Sequence, residues 1–426
     1  MATLLIRGGT VIDGTGQAPL EDHEVLVRDE RIEAVGPSGS LLSDGAEVVD
    51  ATGLTLLPGL INMHVHLGSG GGRSTAQDSE QDIVLLASRN ARNALLTGVT
   101  TMRELGSRGS VSQTLRNAII RGVLVGPRIL SSGRGITTTA GHGWMYRICA
   151  DSAKDLKRAA RQLVEEQVDV YKIAVTGGGG TPGTNVGAAQ YSTDELKVLV
   201  EEARRFGRRI AAHANGTAGT RNSVQAGIDT IEHCGWMGPD GRLEIDEVVI
   251  ALMIEKGTTV VPTMAVWYRP GYDDFSKMSE DRRMMRAVRE ERTASWKAMH
   301  DSGIRFATGT DTWDPLAREI ELMVKEMRIS PMEAIVAATR NGAEGLGLDS
   351  LIGTVEPEKE ADLLLVDGDP LSDVGALRRV NRVYQSGKLV VDRGYLVSDE
   401  EAVDRSANIP KQGGRISYDQ AFRPRR

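Results

Sequence analysis

The sequence predicts an α/β fold, a (β/α)8 TIM barrel carrying a small β-sandwich domain built from both chain ends. Two observations predict it. Across residues 57–349, short apolar runs alternate with longer amphipathic ones, the pattern of a parallel sheet with crossover helices. Both ends read instead as short strands punctuated by turns, and neither end is large enough to bury a core alone. The length of 426 residues agrees, since one barrel takes about 250 residues and the rest must go elsewhere.

The elements follow in order. Leu4–Ile6, Thr10–Ile12, Glu24–Arg28, Arg31–Val35 and Glu47–Asp50 are strand candidates, separated by Gly8-Gly9, Asp13-Gly14 and Pro37-Ser38-Gly39. Eight barrel strands are expected at Leu56–Met63, Gly98–Arg103, Pro127–Ser131, Val168–Ala174, Arg209–Ala212, Thr230–Glu232, Thr259–Thr263 and Arg305–Thr310. Helices are expected at Gln81–Leu96, Thr193–Phe206, Asp281–His300 and Pro331–Glu344. Ser192 with Glu195 three residues on is a capping box, and Ser330-Pro331 starts its helix with a cap and a proline. Strands return at Ala361–Asp367, Val380–Gln385 and Lys388–Val391, the last two forming a hairpin about Ser386-Gly387. Pairing the ends gives each a core, so 1–56 and 350–400 are expected to form the small β domain. Residues 401–426 read as a polar surface tail.

Composition narrows the function classes. Hydrophobic content of 40% and charged content of 26% suit a globular protein. A net charge of −7 with no basic stripe, and only 4% aromatic residues, argue against a nucleic-acid surface. Two cysteines, Cys149 and Cys234, indicate no disulfide framework. The first apolar stretch is too short for a signal peptide or a membrane span, so the expected location is cytoplasmic. The glycine-rich run Gly177–Gly180 is not followed by Gly-Lys-Ser/Thr, which makes it a loop over a pocket rather than a phosphate cradle.

The chemistry rests on few residues. His64 and His66 end the first barrel strand, and residues two apart on a strand share a face, so both imidazoles can grip one metal. His213 ends strand five, His233 ends strand six, Asp311 ends strand eight, and Lys172 lies within strand four. Singly, each has a bland reading as a core imidazole, a cap or an ion pair. In a barrel, however, the C-terminal strand ends meet at one face, where active sites are built. Arg103 and Glu104 are expected to make structural ion pairs, and Cys234 to be a small buried residue. Tyr191, Trp236, Tyr268 and Arg269 are candidates to line a substrate pocket; His23 and His300 lie away from the strand ends.

Asn-Met-His64-Val-His66, the order of the other ligand positions, and Ala361-Asp-Leu-Leu-Leu-Val resemble the amidohydrolase superfamily of binuclear type, from about residue 3 to 395. Thr139-Ala-Gly-His142-Gly, Lys172-Ile-Ala-Val-Thr-Gly-Gly, Tyr191-Ser-Thr-Asp-Glu-Leu, Ala212-His-Ala-Asn-Gly and Ile231-Glu-His resemble its branch of Xaa-Pro dipeptidases, metallo-carboxypeptidases and ochratoxin-type amidases. The resemblance implies two divalent metal ions, with zinc as the first expectation. His64, His66 and Asp311 would bind the more buried ion and His213 and His233 the more exposed one. Lys172 would bridge them as a carbamate formed with CO2. Asp311 would shuttle the proton and His142 would bind the substrate carbonyl. The implied substrate is a small molecule, peptide-like or an N-acyl amino acid, and a homo-oligomer is compatible.

Three alternatives remain at this level. The same site could serve ureas, carbamates, lactones or phosphotriesters. Deaminases of the superfamily carry His-x-x-Glu after strand five, whereas His213 is followed by Ala-Asn-Gly. A non-catalytic scaffold would be expected to have lost ligands, and all six are present. One departure concerns specificity: Thr312-Trp313-Asp314-Pro315 stands where the peptidases often carry a His-Gly segment, and is expected to reshape one pocket wall.

Overall fold

The computed structural model describes residues 3–41, 44–68, 78–268 and 280–397. The chain's first strands form a four-stranded sheet in the order Arg31–Pro37, His23–Arg28, Thr3–Arg7, Glu47–Asp50. A second sheet runs Thr10–Val11, Leu54–Pro58, Leu363–Asp367, Val380–Gln385, Lys388–Asp392, Tyr395–Leu396, and so joins both ends of the chain. Leu56 pairs with Leu365 across the antiparallel junction. Leu4, Ile6, Val25 and Val27 from the first sheet share one buried cluster with Leu56, Leu363 and Leu365 from the second. Alternation places these side chains on the facing surfaces of the two sheets. Ser386 and Gly387 both take positive φ, 47° and 75°, the geometry a two-residue hairpin turn requires.

The barrel strands are Leu60–Val65, Val99–Glu104, Arg128–Ser131, Val170–Ala174, Arg209–Gly216, Thr230–Met237, Thr259–Val261 and Arg305–Phe306. Their pairings with one another are parallel. Main-chain bonds bridge the joins between the ladders: Asp169 N–H donates to Ser131 O, Met63 N–H to Thr308 O, and Asp311 N–H to His64 O. The fold is the TIM barrel with an accompanying β unit that the sequence predicts.

Several boundaries differ from expectation for identifiable reasons. The first expected strand, Leu56–Met63, is two strands that turn at Gly59 from the second sheet into the barrel. A Cβ at Gly59 would sit 2.2 Å from Thr100 Oγ1, so only glycine permits that crossing. Strands five and six run longer than expected, so His213 and His233 lie inside them rather than at their ends. The expected helix Pro331–Glu344 is two, Pro331–Ala337 and Arg340–Leu346. Between them Ala338 O leaves the helical ladder to accept Ile61 N–H at 2.8 Å, tying the break to the first barrel strand. Asp281–His300 is likewise two helices, Glu280–Ala287 and Arg289–Asp301. Thr193–Arg205 has the expected capping box and buries Leu196, Leu199 and Ala203 along one face. The expected tail, 401–426, lies outside the described residues.

Candidate metal centre and active-site cavity

The six expected ligand residues converge at the mouth of the barrel around a cavity of about 450 Å³. His64, His66, Lys172, His213, His233 and Asp311 all line it, and so does His142. The imidazoles form a chain: ring centroids are 5.2 Å apart for His64 and His233, 4.6 Å for His233 and His213, and 4.2 Å for His213 and His142. Asp311 Oδ1 lies 3.2 Å from Nε2 of both His64 and His66. Ligand atoms of His64, His233 and Asp311 all lie within 4.8 Å of one another, a spacing one metal ion can satisfy.

Each histidine is oriented through a nitrogen turned away from this cluster. His64 Nδ1 sits 2.9 Å from Glu232 Oε2. His66 Nδ1 lies 3.0 Å from Gly106 O, and His233 Nδ1 lies 2.7 Å from Thr263 Oγ1. His213 is reversed: its Nε2 meets Gly177 O and the Asn215 side-chain amide, both at 3.1 Å, so Nδ1 is the nitrogen left toward the cluster. An imidazole whose N–H is held by an acceptor presents its other nitrogen as a lone pair, which is how a metal ligand is fixed in tautomer and direction.

Burial pulls the imidazoles of His64, His213 and His233 below the ordinary histidine range. Burial opposes ionisation of Asp311, but His64, His66 and His233 beside it hold its carboxyl well below the usual value. Lys172 is 1% exposed, and its Nζ has no hydrogen-bond partner. Its burial lowers the ammonium pKa to about 7. The backbone is strained at the same place. His233, Thr263 and Asp311 take φ of 71°, 53° and 54°, a region costing non-glycine residues about 1–3 kcal/mol each. Gly309 lets the last strand approach closely, since a Cβ there would lie 2.7 Å from His64 Cβ.

Behind the candidate ligands is a buried ion pair. Arg103 Nη2 donates to Glu232 Oε1 at 2.7 Å, while Arg103 Nε donates to Met63 O and Thr230 Oγ1–H donates to Glu232. Arg103 therefore makes the expected structural pair. Glu104 does not: one oxygen accepts the Gly106 N–H, the other has no hydrogen-bond partner, and burial raises its pKa to about 7.

His142 is held between Gly178 and the His213 ring, with a Cβ at Gly178 falling 2.5 Å from the His142 ring. Thr181 Oγ1 accepts the Gly143 N–H and lies 2.9 Å from His142 Nδ1, to which it can donate. With the Thr181 hydroxyl as donor, the imidazole N–H falls on Nε2. Burial depresses the His142 pKa to about 3, so the ring is a neutral donor. The glycine-rich loop expected over a pocket does line the cavity, through Gly179 and Gly180.

The expected pocket-lining aromatics fall elsewhere. Tyr191 is buried and its hydroxyl donates to Ala150 O. Trp236 is fully buried, with its indole N–H directed at Met299 Sδ. Tyr268 stacks under Arg289 and its hydroxyl meets Thr293, so none of the three lines the cavity. All three spend their polar ends on interior partners. Arg269 lies outside the described residues. Trp313 is partly exposed and also does not line the cavity; Trp267, Val266, Ile83 and Met145 supply its apolar wall. The sequence reading missed these, together with Arg108, Arg147 and Glu232. Only Glu232 carried a signal, as a charge inside a strand expected to be buried.

Fold and site together define a barrel hydrolase with a histidine-rich, metal-type centre at the C-terminal ends of its strands. The chain belongs to the amidohydrolase family, whose model matches residues 55–390. It is 29% identical to ochratoxinase of Aspergillus niger over 93% of this chain and 88% of that protein. A Xaa-Pro dipeptidase structure with bound methionine in the active site has a TM-score of 0.82 at 28% identity, covering 91% of this chain and 99% of the other. A putative prolidase from Bifidobacterium longum has a TM-score of 0.79 at 29% identity, covering 95% and 99%. The matches fall in the branch that the sequence motifs resemble. No helix among the described residues is long and apolar enough to cross a membrane.

Proposed function

We propose that the protein is a binuclear metal-dependent hydrolase that cleaves the amide bond of a dipeptide or an N-acyl amino acid. The observation that carries this reading is the convergence of six donors, with a polar group beside the outer nitrogen of each ligand histidine and the buried Lys172 amine left without a hydrogen bond. The similarity to ochratoxinase and to a Xaa-Pro dipeptidase supports the substrate class.

The residues fit two divalent ions. Imidazole nitrogen and carboxylate oxygen are ordinary zinc donors. Lys172, with its pKa near 7, has the neutral amine that CO2 must meet to form a carbamate. A carbamate would turn an unpartnered buried group into a two-oxygen anionic ligand shared between the ions. His64, His66 and Asp311 would hold the inner ion, and His213 and His233 the outer one. Bound there, the ions would supply hydroxide near neutral pH and polarise the scissile carbonyl.

The chain's own residues do the rest. Asp311 accepts the proton of the attacking water and passes it to the departing amine, acting as base and then acid. His142 donates its Nε2–H to the carbonyl oxygen as negative charge develops there. Glu232 and Arg103 hold His64 in place. Trp267, Val266 and Ile83 cover the apolar part of the substrate.

The test is a mass-spectrometric hydrolysis screen of the zinc-loaded protein with Asp311→Asn as blank. The panel holds dipeptides, N-acyl amino acids, ureas, carbamates, lactones and a phosphotriester. Cleavage of the amides by the parent alone is the expected result. Turnover confined to ureas, carbamates, lactones or phosphotriesters would overturn the substrate class.

A further inference from the structure

Beyond the six clustered residues, the charged side chains lining the cavity are Arg108 and Arg147, and no carboxylate joins them among the described residues. Arg147 is the unusual one. It is 6% exposed, and its Nε and Nη1 have no hydrogen-bond partner. A buried guanidinium without an anion is costly, and proteins ordinarily supply one.

This protein does so elsewhere. Buried Arg103, Arg116 and Arg128 each meet a carboxylate, of Glu232, Asp169 and Asp362 respectively. Buried Arg292 has no carboxylate but stacks against Trp267 and Trp296, at 4.7 and 5.1 Å, and does not line the cavity. Arg147 packs on the Tyr146 ring, at 5.2 Å, and the buried Glu104 carboxyl feels its charge, but no ion pair joins the two.

Its position is built rather than incidental. A Cβ at Gly135 would lie 2.6 Å from Arg147 Nη1, and one at Gly143 would lie 2.7 Å from Nε. Both glycines take φ of 71°. Two glycines thus leave room for the guanidinium and confine it. Arg147 also sits on the loop that carries His142, so an anion bound there would lie on the same wall as the carbonyl-binding imidazole.

We infer that Arg147 binds the free α-carboxylate of the substrate and selects N-acyl amino acids. A planar fork matches a carboxylate in a way that neutral amides cannot. The cavity offers cations for that carboxylate but, among the described residues outside the ligand set, no anion for a free α-ammonium. An acylated nitrogen therefore suits it better than the charged terminus of a dipeptide. This inference rests on the amide-hydrolase reading above and narrows it.

The experiment compares kcat/KM for N-acetyl amino acids, their α-carboxamides and the matching glycyl dipeptides, using zinc-loaded parent, Arg147→Met and Arg147→Lys. The parent should favour the acid over its carboxamide on the order of 100-fold, the scale of a desolvated charge-assisted pair. It should also favour N-acetyl over glycyl substrates. Arg147→Met should bring the acid-to-carboxamide ratio near unity without loss of bound metal. Arg147→Lys, which keeps the charge and loses the fork, should fall between and serves if the Met variant does not fold. A parent that cleaves acid and carboxamide equally would overturn the inference while leaving amide hydrolysis standing. Equal loss on both substrates, or loss of metal, would assign Arg147 to the metal centre instead. A parent that cleaves no amide of either kind would overturn the parent reading as well.

Discussion

Glu232 provides the sharpest mutational test of how the metal site is supported. It is fully buried, and its carboxylate is shared by Arg103 at 2.7 Å, His64 Nδ1 at 2.9 Å and the Thr230 hydroxyl at 2.7 Å. Burial opposes its charge, while Arg103 and His64 keep its pKa below the usual carboxylate range. Arg103→Met would strand that charge with only neutral partners, a change that costs about 3–5 kcal/mol. Glu232→Gln keeps the shape and removes the charge. It leaves the buried Arg103 guanidinium without its anion, so it too should cost about 3–5 kcal/mol. It should also weaken metal binding about 10- to 100-fold, because His64 loses the anion that fixes its direction. With both charges gone, the double variant should be more stable than Arg103→Met alone. Calorimetric melting of the metal-free proteins measures the first effects, and competition with a chelator measures metal affinity. Metal affinity unchanged in Glu232→Gln, together with additive single effects, would refute the role given to this pair.

Three further outcomes follow from the geometry. His142→Asn should retain metal and lose about 100- to 1,000-fold in kcat, as removal of an oxyanion donor does; unaltered kcat would exclude that role. Gly178→Ala should also lower kcat with metal retained, because the new methyl meets an imidazole already backed by His213 and unable to retreat; steady-state kinetics beside metal analysis checks it. The last concerns pH. Folded Lys172 releases its proton near pH 7, whereas the unfolded chain keeps its lysine proton to about 10.5. The unfolded state therefore binds more protons between these values, so this group makes stability rise with pH from 7 to 10.5 by up to about 1.4 kcal/mol per unit. Relative to Lys172→Met, the melting temperature of the metal-free parent should climb between pH 7 and 9; parallel curves would contradict the buried neutral amine.

Much of this arrangement was legible from residue order because a barrel turns strand ends into neighbours. His64 and His66 declare a shared face by spacing alone, and the remaining candidate ligands fall on strands four, five and six and just beyond strand eight. The capping box at Ser192 and the Ser386-Gly387 hairpin were legible because their physics is local. What periodicity did not reveal depends on three-dimensional closeness. The turn at Gly59 is set by Thr100 from another strand, and the break after Ala338 by a bond to Ile61. Tyr191 and Trp236 look like pocket residues by type, yet the interior offers their polar ends partners in Ala150 O and Met299 Sδ. Arg147 gave the opposite error: among many surface arginines, nothing in sequence marks the one that two glycines confine beside the cavity.

The most direct test of the central claim is a crystal structure grown with zinc, with anomalous differences collected at the zinc edge. Two peaks bridged by density extending from Lys172 Nζ are expected, one among His64, His66 and Asp311 and one between His213 and His233. A single peak with an unmodified Lys172, or zinc bound only elsewhere, would contradict the binuclear account.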